Sequence, residues 1–360
     1  MEKVRYGLVG FGGIAESRIA KEGFGLDRAR FAGNPAAELV GVTDIQPSRK
    51  PAAEALGLRW FDSLEALLAE RPIEAVVVTT DNLSHYPAAL AALRSGRHCL
   101  VEKPLATRRQ DARELQETAA AKRLSLAVDH MMEFNAYNRQ ARDRVASGDI
   151  GAVNDICLHM EFLYGADPAE AATWRCADPA QLGGPIGDVG CHCLYMAEFL
   201  LGTRITRLGC VYTPRHLGLR VEEGAEIRFL TERGTWGSAR VCFDSTRGGG
   251  EGTLLNLGFE VYGSRGVIRS YGTMFQLSGH EGEPVPIRLE VDRFHSREAV
   301  SIPSPPNIYQ LAIARHAESI RKGPPLGCED GLHNLDLVLA CHLSAQDGGR
   351  MQEIASPVAP

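Results

Sequence analysis

The sequence predicts two domains: an α/β domain built on a doubly wound parallel sheet, followed by an α+β domain with a large, mostly antiparallel open sheet. Over the first third of the chain, short and continuously apolar segments alternate with segments of helical periodicity, which is typical of parallel strands buried on both faces. Beyond that third, strand-like segments joined by short turn signals dominate and indicate antiparallel pairing. A length of 360 residues accommodates two domains. We therefore expect the first domain over residues 1–128 and the second over residues 129–360.

The first domain is expected to alternate strands and helices. The segment Ala75–Thr79 reads Ala-Val-Val-Val-Thr and shows no polar alternation, as a strand covered on both faces requires. Ser63–Glu70 carries leucines at helical spacing, and Tyr86–Ser95 is rich in alanine. The other predicted strands are Val4–Val9, Leu39–Thr43, His98–Val101 and Leu124–Val128, and another helix is predicted over Arg109–Lys122.

The second domain is expected to begin with a helix over Asn138–Ser147 and a strand near Asn154–Tyr164. A Gly-, Pro- and Ala-rich stretch over residues 165–187 separates these from a helix at Cys191–Leu201. From residue 205 onwards, turn signals such as Ser-Arg-Gly divide the chain into strands. These strands include Ala225–Thr231, Gly234–Phe243 and Gly258–Ser270, and two last helices are predicted over Ile308–Arg321 and Leu332–Ser344.

Composition excludes several classes of partner. The net charge is −6, with acidic and basic residues interleaved, so the basic stripe that nucleic acid or an anionic membrane would need is missing. No apolar run approaches the ~18 residues of a membrane span. The N-terminal residues run directly into a strand and show no signal-peptide pattern, and nine scattered cysteines are typical of reduced, buried thiols. We therefore expect a cytoplasmic protein.

A glycine-rich turn follows the first predicted strand and precedes a helix. It reads Gly10-Phe11-Gly12-Gly13-Ile14-Ala15, which is a G-x-G-x-x-A spacing. In this spacing Gly10 permits the tight turn, Gly12 lets the backbone approach a pyrophosphate, and Ala15 keeps the helix close to the sheet. The N-terminus of the helix adds free N–H groups for the phosphates. The strand before and the helix after favour a dinucleotide-binding Rossmann domain over a glycine turn that is only structural.

Asp44 ends the second predicted strand, where a carboxylate can accept hydrogen bonds from the adenosine ribose. It lies further beyond the glycine motif than the usual ~20 residues, and we interpret Lys21–Pro35 as a loop insertion that accounts for the surplus. Because a carboxylate repels a 2′-phosphate, NAD is favoured as the cofactor and NADP is the alternative. Arg49 is close enough in sequence to weaken that preference, and a cap or turn role is the other interpretation of Asp44.

Two longer runs carry a family resemblance. The first contains Thr79-Thr80-Asp81-Asn82-Leu83-Ser84-His85 and, further on, Glu102-Lys103-Pro104. The second contains Trp174-Arg175 and then Gly183-Gly184-Pro185-Ile186-Gly187-Asp188-Val189-Gly190-Cys191-His192. Together with Gly-Phe-Glu-Val-Tyr-Gly-Ser-Arg-Gly at 258–266 and Glu-Asp-Gly at 329–331, they resemble the motifs of the glucose–fructose oxidoreductase / inositol dehydrogenase (Gfo/Idh/MocA) family in the same order.

The resemblance implies a set of site residues. Lys103 would lie beside the nicotinamide, orient the reacting hydroxyl and exchange a proton with it. Asp188 and His192 are four residues apart on one helical face and would position and deprotonate the same hydroxyl, with His192 suited to the proton transfer. The implied cofactor contacts, besides the glycine turn, Asp44 and Lys103, are Thr80, Asn82, His85, Glu102, Trp174 and Arg175, and the implied substrate contacts are Lys103, His130, Asp188, His192 and Tyr195.

Each of the three catalytic candidates has a plainer interpretation. Lys103 is otherwise a surface lysine, Asp188 a helix cap and His192 a buried core histidine. Cys191-His192-Cys193 suggests zinc, but adjacent residues of a regular helix cannot all face one metal, and no second ligand pair follows at suitable spacing. We therefore predict no metal site.

Two departures from the family pattern concern substrate selection. Tyr195 stands where inositol dehydrogenases of the resembled family carry an acidic residue that binds polyol hydroxyls. Met132 and Glu133 stand in a segment, residues 128–135, where arginine is common in relatives. These changes argue against a plain myo-inositol dehydrogenase.

The resemblance implies an NAD(P)-dependent oxidoreductase that moves a hydride to or from a carbon of a sugar or cyclic polyol, as a dehydrogenase or ketoreductase. Two alternatives remain: an NAD-dependent enzyme that cleaves glycosides by oxidation and elimination, and a non-catalytic sensor that binds dinucleotide. We also expect a homodimer or homotetramer. Helices should cover one face of the second sheet, and apolar residues such as Val241, Phe243 and Phe259 should form a patch on the other.

Overall fold

The chain forms two compact units. The structure is a computed structural model that describes residues 2–244, 256–274, 287–303 and 305–355. The first unit comprises Met1–Met131 together with Asn307–Leu332, and the second comprises Met132–Pro306 together with His333–Pro360. No helix in the described ranges is long and apolar enough to cross a membrane.

The first unit contains a six-stranded, wholly parallel sheet with strand order β3-β2-β1-β4-β5-β6. Every residue of β4 is buried, as expected for a strand covered on both faces. This order confirms the doubly wound α/β prediction. The strands are β1 Val4–Val9, β2 Ala37–Thr43, β3 Arg59–Phe61, β4 Ala75–Val78, β5 His98–Val101 and β6 Leu126–Val128.

The helices of this unit match most of the predicted ones. The helix that follows the glycine turn is π-helical over Ala15–Gly23, and Arg109–Lys122 has the predicted bounds. The third strand, Arg59–Phe61, was not predicted because it has three residues, of which only one is buried. The remaining helices are Lys50–Ala55, Leu64–Ala69, Asn82–Arg94 and Ile308–Lys322, with a short 3₁₀ turn at Pro47–Arg49.

The segment Asn307–Leu332 belongs to the first unit, although the sequence analysis assigned it to the second domain. Its helix is held by polar contacts to the parallel sheet and its first helix. The Nδ1 atom of His316 lies 2.8 Å from the hydroxyl oxygen of Tyr6, and the Asn307 side chain donates to Glu22 at 2.8 Å. Along the sequence, the chain therefore passes through most of the second unit before it returns to complete the first.

The second unit contains a nine-stranded sheet with order β14-β13-β12-β11-β7-β10-β9-β8-β15. All its strand pairs are antiparallel except β10 with β7, which confirms the prediction of a mostly antiparallel sheet. The strands are β7 Val153–Glu161, β8 Ile205–Tyr212, β9 Gly224–Thr231, β10 Trp236–Cys242, β11 Leu257–Gly263, β12 Gly266–Tyr271, β13 Arg288–Arg293, β14 Ser296–Val300 and β15 Gln352–Glu353. The helices are Ala136–Ala146, Pro168–Ala171, Trp174–Ala177, Ile186–Gly190 and Cys191–Leu201, with 3₁₀ turns at Met131–Phe134 and Pro179–Gln181. The last helix, Glu329–Gln346, begins in the first unit and continues into the second.

One face of this sheet packs against the helix Cys191–Leu201. Val241, Phe243 and Phe259 have no exposed surface, so the prediction that they form an open apolar patch is wrong. Because side chains alternate along a strand, these three lie on one face and their charged neighbours lie on the other. That other face carries the ion pairs Arg240–Glu226, Arg228–Asp155 and Arg269–Asp292.

Candidate active site

The glycine turn lies at the carboxyl edge of the parallel sheet. The Gly10 N–H donates to the carbonyl of Thr43 at the end of β2, and the Thr79 N–H donates to the carbonyl of Val9. Gly10 has a φ of +87°, and a Cβ added there would lie 2.8 Å from the Thr79 carbonyl oxygen. Only glycine can therefore make this turn, as the motif predicts.

The residues after Gly10 provide room for a dinucleotide. A Cβ added to Gly12 or to Gly13 would meet no atom within 4 Å, so the backbone there can be approached closely. Helical hydrogen bonding begins at once, with the Glu16 N–H donating to the Gly12 carbonyl at 3.0 Å. Phe11 and Ala15 are buried, whereas Ile14 is 37% exposed. This part of the chain fits the pyrophosphate of a nicotinamide dinucleotide, bound at the start of the helix.

Asp44 lies beside this turn. Its carboxylate accepts from the N–H of Phe11 at 2.5 Å and from the N–H of Gln46 at 2.7 Å. Arg49 donates to the Phe11 carbonyl at 2.7 Å and pairs with Glu16. Asp44 therefore has the turn role that the sequence left open, and its place at the end of β2 is also the one that ribose recognition requires.

Lys103 follows β5 at the same edge of the sheet. It stands between Glu102 and Pro104, both buried, and is itself only partly buried. Its N–H donates to the Glu102 carboxylate at 3.2 Å, and the peptide bond to Pro104 is cis. Because both neighbours are buried and its N–H is hydrogen-bonded, the backbone of Lys103 is held in place, which is what a group that orients a substrate needs.

His85 contacts the backbone on both sides of this part of the site. Its Nδ1 lies 2.7 Å from the Pro104 carbonyl oxygen and its Nε2 lies 3.2 Å from the Thr80 carbonyl oxygen. Burial lowers its pKa, while the two carbonyls act in the opposite direction. His85 joins the turns after β4 and β5, so its contacts are those of a residue that shapes the cofactor site. Asn82 beside it is buried, and Asp81 caps the helix by accepting from the Ser84 N–H at 3.2 Å.

Asp188 and His192 lie in the second unit. Asp188 belongs to the π-helical turn Ile186–Gly190, which continues directly into the helix that carries His192. The Asp188 carboxylate lies 3.3 Å from Nε of Arg175, and the guanidinium of Arg175 lies 4.3 Å from the centre of the Trp174 ring. His192 is almost fully buried, at 2% exposure.

Tyr195 follows one turn later and contacts Glu133, which lies in the segment of residues 128–135 where the sequence departs from the family pattern. Its hydroxyl donates to the Glu133 carboxylate at 2.7 Å. The Arg139 side chain donates to the Glu133 carbonyl at 2.9 Å, and the Asn138 side chain donates to the Met132 carbonyl at 3.0 Å. The turn bearing Glu133 is therefore well fixed. Glu133 and Tyr195 are 62 positions apart, so no local pattern could pair them.

The predicted residues form two groups, one in each unit. The glycine turn, Asp44, Thr80, Asn82, His85, Glu102 and Lys103 belong to the first unit, and so does His130, which is buried just beyond β6. Trp174, Arg175, Asp188, His192 and Tyr195 belong to the second unit. The joint action of Lys103 with Asp188 and His192 stays a prediction.

Comparison with known proteins identifies relatives of both units. Residues 4–130 match the GFO/IDH/MocA oxidoreductase family with its NAD-binding Rossmann fold, and residues 138–269 match the GFO/IDH/MocA C-terminal domain. The 1,5-anhydro-D-fructose reductase of Ensifer adhaerens is 26% identical and covers 96% of this chain and 97% of its own. Inositol 2-dehydrogenase 3 of Saccharopolyspora erythraea is 29% identical over 74% of this chain and 72% of its own. An inositol dehydrogenase homolog from Azotobacter vinelandii, solved with NADH and myo-inositol, has a TM-score of 0.77 at 22% identity and covers 98% of each chain.

Proposed function

This chain belongs to the GFO/IDH/MocA family of NAD-binding oxidoreductases, and we propose that it transfers a hydride between NAD and a hydroxyl-bearing carbon of a sugar or cyclic polyol. One observation carries the proposal more than any other. The open glycine turn and Lys103 occupy the same carboxyl edge of the parallel sheet, where such folds bind their ligands.

The residues of the chain supply binding, orientation and proton transfer. When bound, the dinucleotide supplies the hydride acceptor or donor. Gly12 and Gly13 would hold its pyrophosphate, and Asp44 its adenosine ribose. Lys103 would orient the substrate hydroxyl, and His192, placed with Asp188, would take the hydroxyl proton as the carbon is oxidised. In the opposite direction, the same histidine returns that proton.

The substrate class is inferred from the relatives and from the second unit. The names of the relatives state an anhydrofructose and an inositol as their substrates. Glu133 and Tyr195 place a carboxylate and a phenol side by side one helical turn from His192, and such groups bind sugar hydroxyls. We propose a polyhydroxylated ring as the substrate, and not myo-inositol itself, because Tyr195 replaces the expected acidic residue.

A substrate screen tests this proposal. The purified protein is incubated with NAD and a panel of aldoses, ketoses, glycosides and inositols, and with NADH and the corresponding keto sugars. We expect the absorbance of reduced cofactor to change with at least one ring compound and to stay constant with linear alcohols. Absence of turnover in both directions across the panel would refute the proposed function.

We also propose that the protein is cytoplasmic and assembles as a homodimer or homotetramer. All nine cysteines are free and eight are buried, as is typical of a reducing compartment. On the sheet face opposite the helix Cys191–Leu201, Trp236 and Tyr262 flank Asp155 on neighbouring strands and are 41% and 37% exposed. These aromatic rings are exposed on that face, whereas Val241, Phe243 and Phe259 are buried.

A further inference from the structure

Glu222 connects a cavity of the second unit to the helix that carries Asp188. It precedes β9, and its Oε1 accepts a hydrogen bond from the N–H of Ile186 at 3.0 Å. Ile186 is the first residue of the π-helical turn that contains Asp188 two positions later. The start of the helix thus has a carboxylate on one of its first N–H groups, where the helix dipole favours negative charge.

The loop before this helix is shaped around the same carboxylate. Gly184 has a φ of +75°, and a Cβ added there would lie 2.5 Å from Oε1 of Glu222. A Cβ added to Gly183 would lie 2.4 Å from the carbonyl oxygen of Arg175, the residue that pairs with Asp188. The two glycines therefore allow Glu222 and the Arg175 backbone to approach the loop closely. Glu222 thus contacts both the loop and the first residue of the turn that contains Asp188.

A cavity of about 410 Å³ gives water access to Glu222. Its walls include Leu182, Val221 and Leu339, and Tyr212 bonded to His342 at 2.9 Å. Within the described residues, no lysine, arginine or histidine nitrogen lies within 4 Å of the Glu222 carboxylate. The carboxylate is therefore held by a backbone N–H without a directly paired cation.

We propose that Glu222 is a positioning residue for Asp188, which acts by holding the N–H of Ile186 and the glycine loop in place. This inference rests on the proposed function, because Asp188 matters only if it acts on the substrate. An ionised carboxylate binds an N–H group more strongly than a neutral carboxylic acid does. The helix start should therefore be held more firmly when Glu222 is charged.

Burial raises the pKa of Glu222 to about 7, against the opposing effects of the Ile186 N–H and of Arg215. Other titratable groups lie nearby. Burial raises the pKa of Tyr212 to about 12 and lowers that of His342, and the pKa of Glu223 is lowered because backbone N–H groups outweigh its burial. Cys341 has a raised pKa through burial, and the cavity is also lined by Arg215 and Arg220. A carboxyl group with a pKa of about 7 changes charge between pH 6 and pH 8.

The test compares Glu222→Ala and Glu222→Gln with Glu232→Ala, a control in the exposed turn after the same strand. Kinetics use the best substrate of the screen described above. We expect Glu222→Ala to lower kcat roughly 10–100-fold, as small misplacements of reacting groups do. Its KM for NAD should stay within about two-fold, because the glycine turn and Asp44, which would hold the pyrophosphate and the ribose of NAD, belong to the other unit. Glu222→Gln keeps an acceptor for Ile186, so its kcat should equal that of the wild type at pH 6 and fall behind it at pH 8.

Hydrogen–deuterium exchange of the ligand-free protein supplies a readout that needs no substrate. We expect peptides covering residues 183–192 to exchange faster in Glu222→Ala and unchanged in Glu232→Ala. If exchange there is unchanged in Glu222→Ala, or if the ratio of wild-type kcat to Glu222→Gln kcat is constant from pH 6 to pH 8, the inference is overturned. A protein that turns over no sugar or polyol would refute the proposed function, and the exchange result would then decide alone whether Glu222 holds the loop.

Discussion

The side chain of Lys103 emerges between two buried neighbours. Glu102 keeps 8% of its surface exposed and Pro104 is buried, so the backbone of Lys103 has little freedom while its side chain reaches the surface. A backbone fixed in this way can direct the flexible ammonium group of the side chain toward a bound hydroxyl. A surface lysine of structural importance only would not need this setting.

We expect Lys103→Ala to lower kcat by ~10²–10⁴-fold, the usual contribution of a general acid or base, with NAD affinity nearly unchanged. Asp44 and the glycine turn, which would bind the distant half of the cofactor, are intact in this variant. Steady-state kinetics measure kcat, and calorimetric titration measures the affinity for NAD.

His192→Ala should lower kcat by a similar factor. The loss of kcat in the double variant should be smaller than the product of the two single losses, because the residues act as one unit. Activity of folded Lys103→Ala within a few-fold of wild type would end the proposed role.

A second prediction at this scale concerns cofactor choice. Asp44 should make kcat/KM higher with NAD than with NADP, because its carboxylate repels a 2′-phosphate. Asp44→Ser should narrow the difference, while Asp62→Ser, an aspartate after β3 outside the proposed site, should leave it unchanged. Initial rates at varied concentrations of each cofactor give the two values of kcat/KM. Equal or better efficiency of the wild type with NADP would contradict the prediction and point to Arg49, which is adjacent to Phe11.

At the scale of elements, strongly patterned segments could be located from the sequence. The strand His98–Val101 and the helices Arg109–Lys122 and Cys191–Leu201 have the predicted bounds. Contacts between distant residues could not be located. Glu222 and Ile186 are 36 positions apart, and their hydrogen bond leaves no periodic signal. The glycine motif is local and was identified, whereas the groups that position Asp188 required the folded structure.

The helix Ile308–Lys322 gives a prediction about acid stability. Burial lowers the pKa of His316 to about 3, below the value of about 6.5 expected for the unfolded chain. Below about pH 6.5 the unfolded chain takes up a proton at this histidine and the folded protein does not. The free energy of unfolding is therefore undiminished above about pH 6.5 and falls as the pH is lowered toward 3. The loss approaches ~1.4 kcal/mol per pH unit for one histidine.

Urea unfolding of His316→Gln and wild type between pH 7 and pH 5 tests this expectation. The variant retains a polar partner for Tyr6 but cannot titrate, so its free energy of unfolding should decline less steeply than that of the wild type. His295→Gln, at an exposed position in the turn between β13 and β14, serves as the control and should follow the wild type. Equal slopes for His316→Gln and wild type would show that His316 does not set the acid sensitivity.

At the scale of the whole molecule, the sheet of the second unit presents a face of aromatic and charged residues. The guanidinium of Arg228 lies 5.4 Å from the centre of the Trp236 ring, and Arg228 also pairs with Asp155 at 3.6 Å. This face is more polar than the sequence analysis expected. A subunit interface there would combine aromatic contacts with ion pairs, as interfaces commonly do.

We expect light scattering at micromolar concentration to give the mass of a dimer or tetramer. Trp236→Glu should shift the mass toward the monomer, because it places a charge among the aromatic contacts. Ile45→Ala changes an equally apolar residue of the first unit that is 92% exposed, and should leave the mass unchanged. A monomeric wild type, or a Trp236→Glu variant with undiminished mass, would refute assembly through this face.

The return of Asn307–Leu332 to the first unit has a consequence for biosynthesis. Tyr6 receives the His316 contact only after the ribosome has added the intervening chain, which at ~5–20 residues per second takes roughly 15–60 s. Until then Glu74, which pairs with Arg321, also lacks its partner, and one flank of the nascent parallel sheet is uncovered. A chain that ends before residue 307 would contain the nucleotide-binding unit in this incomplete state. We therefore expect such truncated chains to be substrates for chaperones and proteases.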